Sequence, residues 1–108
     1  MKLLPALTVL TLLATIPTGA ATYYVNVNNA VPVSPFTSWG TAAANIQDAV
    51  NVASAGDLVL VTNGIYQTGQ TWTSGNSNRV SVTKAITLQS VNGPAATIIR
   101  GYQPGFPN

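Results

Sequence analysis

The sequence predicts an all-β fold in which parallel strands stack as a solenoid behind one amphipathic helix. An unbroken apolar run, Leu58 to Val61, is typical of a strand that is covered on both faces of a parallel sheet. The segment LVLVTNG, residues 58–64, aligns with ITLQSVNG, residues 86–93, because an apolar strand precedes Asn-Gly in both. Strands that reappear after one circuit of the chain indicate a solenoid. A single helical pattern, about residues 41–54, comes before them.

The first twenty residues, MKLLPALTVLTLLATIPTGA, have the layout of a secretory signal peptide. One cation precedes an apolar stretch over residues 3–16, and small residues then predict cleavage after Ala20 or Ala21. The apolar stretch is shorter than the roughly 18 to 20 residues that span a bilayer, and two prolines interrupt or end it. We therefore expect a signal peptide over residues 1–20. Residues 21–108 are then secreted, periplasmic or on the cell surface, without a stable membrane anchor.

Composition excludes several classes of function for the exported part. It carries three cations and two acids, a net charge of +1, and no Lys/Arg cluster that could follow a phosphate backbone. Nucleic acid is therefore not an expected partner. The chain has no cysteine and no histidine, which excludes disulfides and a Ser-His-Asp triad. We expect no metal site and no cofactor.

The helix and the remaining strands follow from apolar periodicity. In the stretch 41–54, apolar residues recur at three- and four-residue spacing, and Gly56 is a natural stop. Alternation at residues 23–27 predicts a strand before the helix. Beyond the helix we expect four strands, at residues 58–62, 79–83, 85–91 and 96–100, of which RVSVT pairs with ATIIRG. The segment QTGQTWTSGNSN, residues 67–78, is predicted to be a surface loop.

Two longer segments carry a resemblance to a known family. NIQDAVNVASAGDLVLVTNGIYQ and RVSVTKAITLQSVNGPAATIIRG resemble the start of a right-handed parallel β-helix of the pectin-lyase-like superfamily. The resemblance implies an N-terminal cap, the helix 41–54, and a first coil, in a domain 21–108 that is incomplete. The end at Arg100 is then expected to meet the remaining β-helix coils or another copy of the chain.

The resemblance implies a function connected with polysaccharides, as a binding protein, a lyase or a hydrolase. The active site is expected to lie outside these 108 residues, so that this chain alone is non-catalytic. Two alternatives stay open. One is a non-catalytic adhesin or scaffold at the cell surface, and the other is a small self-associating solenoid module.

Few residues of the chain are candidates for chemistry. Trp72, in a polar segment, is the predicted substrate-binding residue, because its ring could stack on a sugar. No catalytic, cofactor-binding or metal-binding residue is predicted. Asp48 is expected to be solvated and Asp57 to bind backbone N–H groups of its turn. We expect the three cations to protect strand edges or ends. Tyr66 is expected to pack with its hydroxyl bonded, and Trp39 to staple the helix to the core. The cations are Arg79, Lys84 and Arg100.

Overall fold

The computed structural model describes residues 19–102, so all but the end of the predicted signal peptide lies outside the described residues. Within this range the chain forms seven short strands, one α-helix and one 3-10 turn, Trp39–Thr41. The helix α1 covers Ile46–Val52. The strands are β1 (Thr22–Val25), β2 (Leu58–Val61), β3 (Gly64–Tyr66), β4 (Thr71–Thr73), β5 (Asn76–Asn78), β6 (Thr87–Ser90) and β7 (Thr97–Ile99).

The apolar strand β2 is the centre of a three-stranded parallel sheet with the order β1-β2-β6. Leu58 pairs with Thr22 on one side and with Thr87 on the other. Val59 and Val61 are buried, and Leu58 and Leu60, which alternate with them, are half-buried. The unbroken apolar run therefore suits a central strand that is covered on both faces.

The alignment of the two Asn-Gly segments is confirmed by the register between β2 and β6. Val61 pairs with Ser90, which places the two Asn-Gly turns side by side. The amide Nδ2 of Asn92 donates to Oδ1 of Asn63 over 2.7 Å. Side-chain amides that stack in this way connect neighbouring turns and hold the register of the sheet.

The prediction of a parallel β-helix is wrong. The strands lie in three small separate sheets, β1-β2-β6, β3-β7 and β4-β5, and no sheet of the described residues closes or repeats as a solenoid. The pair β4-β5 is antiparallel, which a parallel coil does not contain. The segment 67–78, predicted to be a loop, forms this hairpin.

The second predicted ladder, between residues 79–83 and 96–100, is absent. The side chain of Gln47 pairs instead with the backbone of Ser81. Residues 79–83 are not a strand. The N–H of Ser81 donates to Oε1 of Gln47 over 2.7 Å, and Nε2 of Gln47 donates to the carbonyl of Ser81 over 3.3 Å. A residue whose N–H and carbonyl are both bonded to a side chain has no free backbone groups for a neighbouring strand. β7 pairs instead with β3.

The helix is shorter than predicted, and its N-terminus lies further along the chain. Asn45 is the N-cap, and its side chain accepts a hydrogen bond from the N–H of Asp48 over 2.9 Å. Ala43 is extended because its N–H and carbonyl pair with the outer edge of β1, at Tyr24 and Asn26. The predicted first turn of the helix is therefore part of the β1 edge.

The helix packs against the sheet and builds the core with it. Its buried side chains include Ile46, Ala49 and Val50, which lie against Val59 and neighbouring residues of the sheet. Alanines on this face allow the helix to lie close to the strands. Tyr66 is 2% exposed in the same core, and its hydroxyl donates to the carbonyl of Thr62 over 2.8 Å, as predicted.

Candidate binding site

A β-hairpin carries the predicted substrate-binding residue, Trp72. The two-residue turn between β4 and β5 is Ser74-Gly75, with φ angles of 52° and 81°. Positive φ at both positions gives the twist that a tight hairpin needs, and glycine adopts it without strain. Trp72 pairs with Ser77 across the hairpin, so the two side chains share one face.

The indole of Trp72 is 71% exposed, which is unusual for so large an apolar group. A cleft of about 360 Å³ opens beside Ser77, the cross-strand partner of Trp72. Ser77 lines this cleft and lies 3.3 Å from Oε1 of Gln70. Tyr102, which is 72% exposed, also lines the cleft. Among residues 19–102 the lining consists of Gln70, Ser77, Asn78, Arg79, Gly101 and Tyr102.

Arg79 holds the two walls of the cleft together. Its Nε donates to the carbonyl of Arg100 over 2.9 Å, and its Nη1 donates to the carbonyl of Gly69 over 2.7 Å. Gly69 has a φ of +78° and lies so close to Asn45 that a β-carbon would come within 3.0 Å of that side chain. The hairpin is thereby packed against the N-terminus of α1 and tied to the end of β7. These two bonds hold the guanidinium in place, and Arg79 also lines the cleft.

The chemistry of the cleft is that of neutral polar recognition. Amide, hydroxyl and guanidinium groups offer both donors and acceptors, and two exposed aromatic rings flank them. The chain contains only two acidic residues, and neither lines this cleft. Paired carboxylates for general acid and base catalysis are therefore not part of it. The arrangement can bind a hydroxyl-rich ligand.

The other sequence candidates lie elsewhere and do not come together. Asp48 is exposed at the start of α1, where it accepts a hydrogen bond from Asn45. Asp57 binds the backbone N–H of Ser54 through Oδ2 over 2.7 Å, as predicted for its turn. The described residues contain no group of three or more potential metal-ligating acids, cysteines or histidines. Lys84 caps the end of α1 with its ammonium, so it does not guard a strand edge.

Two aromatic predictions have different outcomes. Tyr66 is buried with its hydroxyl bonded, and burial raises the pKa of this phenol above its ordinary value. Trp39 does not staple the α-helix to the core. It begins the separate 3-10 turn, stays 43% exposed and packs edge-on against Tyr24 with ring centroids 4.7 Å apart.

Trp72 stays a prediction of the sequence, which did not indicate the residues that line the cleft. The signal for the hairpin was the string TWTSGNSN, in which a Ser-Gly pair separates two alternating three-residue runs. No local pattern indicated that Tyr102 would reach the hairpin, or that Arg79, which directly follows β5, would bond the carbonyl of Arg100.

Comparisons of this chain with protein families, with curated proteins and with solved structures find no match. The resemblance to the pectin-lyase-like superfamily accordingly stays a prediction. In the part of the chain that the structure describes, no helix has the length and apolar character needed to cross a membrane.

Proposed function

We propose that this chain is a polysaccharide-binding module of an exported protein, and that Trp72 and the cleft beside it contact the sugar. The observation that carries the proposal is the pairing of an exposed indole with a polar cleft on one hairpin face. Sugars present C–H faces that stack on aromatic rings and hydroxyl groups that exchange hydrogen bonds with amides. Tyr and Trp serve such mixed surfaces because each has an apolar body and a polar handle.

Rigid geometry supports binding at this site. The tight Ser74-Gly75 turn fixes the hairpin, and Arg79 fixes the distance between the hairpin and the end of β7. A preformed site loses little conformational entropy when the ligand binds. The fixed guanidinium of Arg79 can also accommodate the carboxylate of a uronic acid, since guanidinium groups pair well with carboxylates.

The test is calorimetric titration of the purified protein with a soluble neutral glucan and with a uronic-acid polymer. Binding of one of them and its loss in Trp72→Ala are expected. A stacking contact of about 1.4 kcal/mol corresponds to roughly a tenfold loss of affinity. Trp39→Ala is the matched control, because that ring packs on Tyr24 outside the cleft. Absence of binding to both polymers, or equal binding by Trp72→Ala, contradicts the proposal.

A second candidate function, a self-associating scaffold, is favoured by the outer edge of β6. The outer edge of β1 is covered by backbone groups of Phe36 and Ala43, whereas β6 has no outer partner among residues 19–102. The N–H groups of Thr87 and Val91 point to the β2 side, so those of Leu88 and Ser90 point outward. A second copy can then pair edge to edge with β6, as a two-fold antiparallel dimer.

Sedimentation equilibrium of the purified protein distinguishes this candidate. A dimer is expected, and Gln89→Lys should shift it to monomer, because a lysine on an edge strand discourages pairing. Thr68→Lys, on an exposed position away from β6, adds the same charge and should leave the dimer intact. A monomer at the highest soluble concentration contradicts the scaffold.

A further inference from the structure

The start of β1 is anchored to a carboxylate at the exit of the helix. The backbone N–H of Ala21 donates to Oδ1 of Asp57 over 2.9 Å. The carbonyl of Ala21 accepts from the N–H of Leu58 over 2.9 Å, which begins the ladder between β1 and β2. Ala21 is therefore fixed on both of its backbone groups, whereas Gly19 and Ala20 before it are exposed.

Asp57 is held in place independently of Ala21. Only 8% of the residue is exposed, and its Oδ2 accepts the N–H of Ser54 over 2.7 Å. Hydrogen bonds from Ser54 and Ala21 lower the pKa of this carboxyl. Burial raises the pKa to a smaller extent, and the Lys84 charge and a hydrogen bond from Tyr23 lower it slightly further. The side chain is therefore an anion at neutral pH.

That anion has no cation in direct contact among the described residues. The nearest positive group is Lys84, but its Nζ donates to three carbonyls at the end of α1, at distances of 3.0, 3.0 and 2.6 Å. The carboxylate instead accepts two neutral backbone N–H groups. A buried carboxylate gains more from a charged donor than from a neutral one.

Cleavage of the predicted signal peptide would supply that donor. The small residues at the end of the leader allow cleavage after Ala20 or after Ala21. We propose that the leader is removed at the Ala20–Ala21 bond, and that the new α-ammonium of Ala21 forms an ion pair with Asp57. Cleavage one residue later would remove the donor of this hydrogen bond and the first rung of the sheet.

The step is a hydrolysis by an exported-protein signal peptidase with water as co-reactant. The C–N bond between the two alanines breaks, Ala20 leaves with a carboxylate, and the nitrogen of Ala21 takes up protons as an ammonium. The heavy atom already lies 2.9 Å from Oδ1 of Asp57, so no rearrangement is required. Maturation thus converts a neutral hydrogen bond into a charge-assisted one and stabilises the exported form over the precursor.

The pair has a defined pH window. An α-ammonium paired with Asp57 would have a raised folded-state pKa, so its contribution would be complete below the ordinary α-amino value of about 8 and would be lost as pH rises through the raised value. The folded-state pKa of Asp57 is lowered, so its contribution is complete above about 3.9 and is lost as pH falls through the lowered value. Lys84 and Tyr23 are the other titratable groups that act on this carboxyl.

N-terminal sequencing of the natural exported protein is the first test. A sequence that begins AlaThrTyrTyr, at Ala21, is expected. A protein that begins at Thr22, or that retains residues of the leader, overturns the proposal.

The second test compares the exported protein with the same protein acetylated at its α-amine. Acetylation keeps the N–H but removes the charge, so the Tm should fall at pH 6 and should not differ well above the amine's raised pKa. In Asp57→Asn the effect of acetylation should disappear, whereas Asp48→Asn, at the exposed acid, should preserve it. If Asp57→Asn does not fold, titration of the α-amine by NMR decides, with a raised pKa expected and an ordinary one contradicting the ion pair.

Discussion

Replacement of Lys84 tests how the end of α1 is stabilised. The ammonium donates to the carbonyls of Val50, Asn51 and Ala53, which have no partner inside the helix. Lys84→Met keeps the length and most of the apolar volume of the side chain but removes every donor. Water can reach the exposed Asn51, whereas Val50 and Ala53 are buried residues.

The expected loss of stability follows from these three contacts. Two buried carbonyls that lose their donor cost about 1 kcal/mol each, at the lower end of the range for unsatisfied groups. Loss of a cation at a helix C-terminus adds about 0.5 kcal/mol. The free energy of unfolding should therefore fall by about 2 to 3 kcal/mol, and the Tm by roughly 10 to 20 °C in a domain of this size.

Urea denaturation followed by circular dichroism measures this loss. The midpoint should fall while the slope m stays constant, because the surface buried in the native state hardly changes. Arg100→Met is the matched control, since this exposed cation has only a long contact of 3.4 Å to Gln67, and it should change stability by less than about 0.5 kcal/mol. A change below about 0.5 kcal/mol in Lys84→Met would refute the assignment of Lys84 as the cap of α1.

Three further substitutions test the core and the turns by the same urea denaturation. Tyr66→Phe removes the hydroxyl that bonds the Thr62 carbonyl, so a loss of about 1 to 2 kcal/mol is expected, and an unchanged midpoint would show that this bond adds nothing. Gly64→Ala should cost about 1 to 3 kcal/mol, because φ is +147° and the new β-carbon would lie 2.5 Å from Cγ1 of Val27. Gly75→Ala, with a φ of +81° but open space, should cost only about 1 kcal/mol, and equal losses at the two glycines would contradict the role of Val27.

Part of the sheet could be predicted because its signal is local. The run Leu58 to Val61 has no polar break, and each Asn-Gly pair marks a turn wherever it occurs. Two segments with the same order of strand and turn stack in register, which the amide contact between Asn63 and Asn92 completes. Periodicity alone was sufficient for this pairing.

The extrapolation from that pairing to a solenoid failed for a physical reason. Residues 79–83 alternate like a strand, but a strand also needs a free backbone partner. Gln47, on a helix more than thirty residues earlier, occupies both backbone groups of Ser81. The predicted start of the helix was wrong for a similar reason. Ala43 pairs with β1, so Asn45 becomes the N-cap of α1.

The candidate site shows the same division between local and tertiary causes. Trp72 could be singled out because a large aromatic ring in a polar segment is easily recognised in a sequence. Ser74 and Gly75 both have positive φ angles, which a tight two-residue hairpin turn requires. Arg79 bonds the carbonyls of Gly69 and Arg100, which lie far apart along the chain, and so joins the hairpin to the end of β7 at the cleft.

The sequence by itself determined the apolar strand β2, its pairing with β6 and the buried face of the helix, since each depends on short-range periodicity. The tertiary structure decided how the other strands pair, where the helix begins and what surrounds Trp72. These outcomes depend on single hydrogen bonds between distant residues, such as those of Gln47, Arg79 and Lys84, and no pattern within a window of the sequence specifies such a bond.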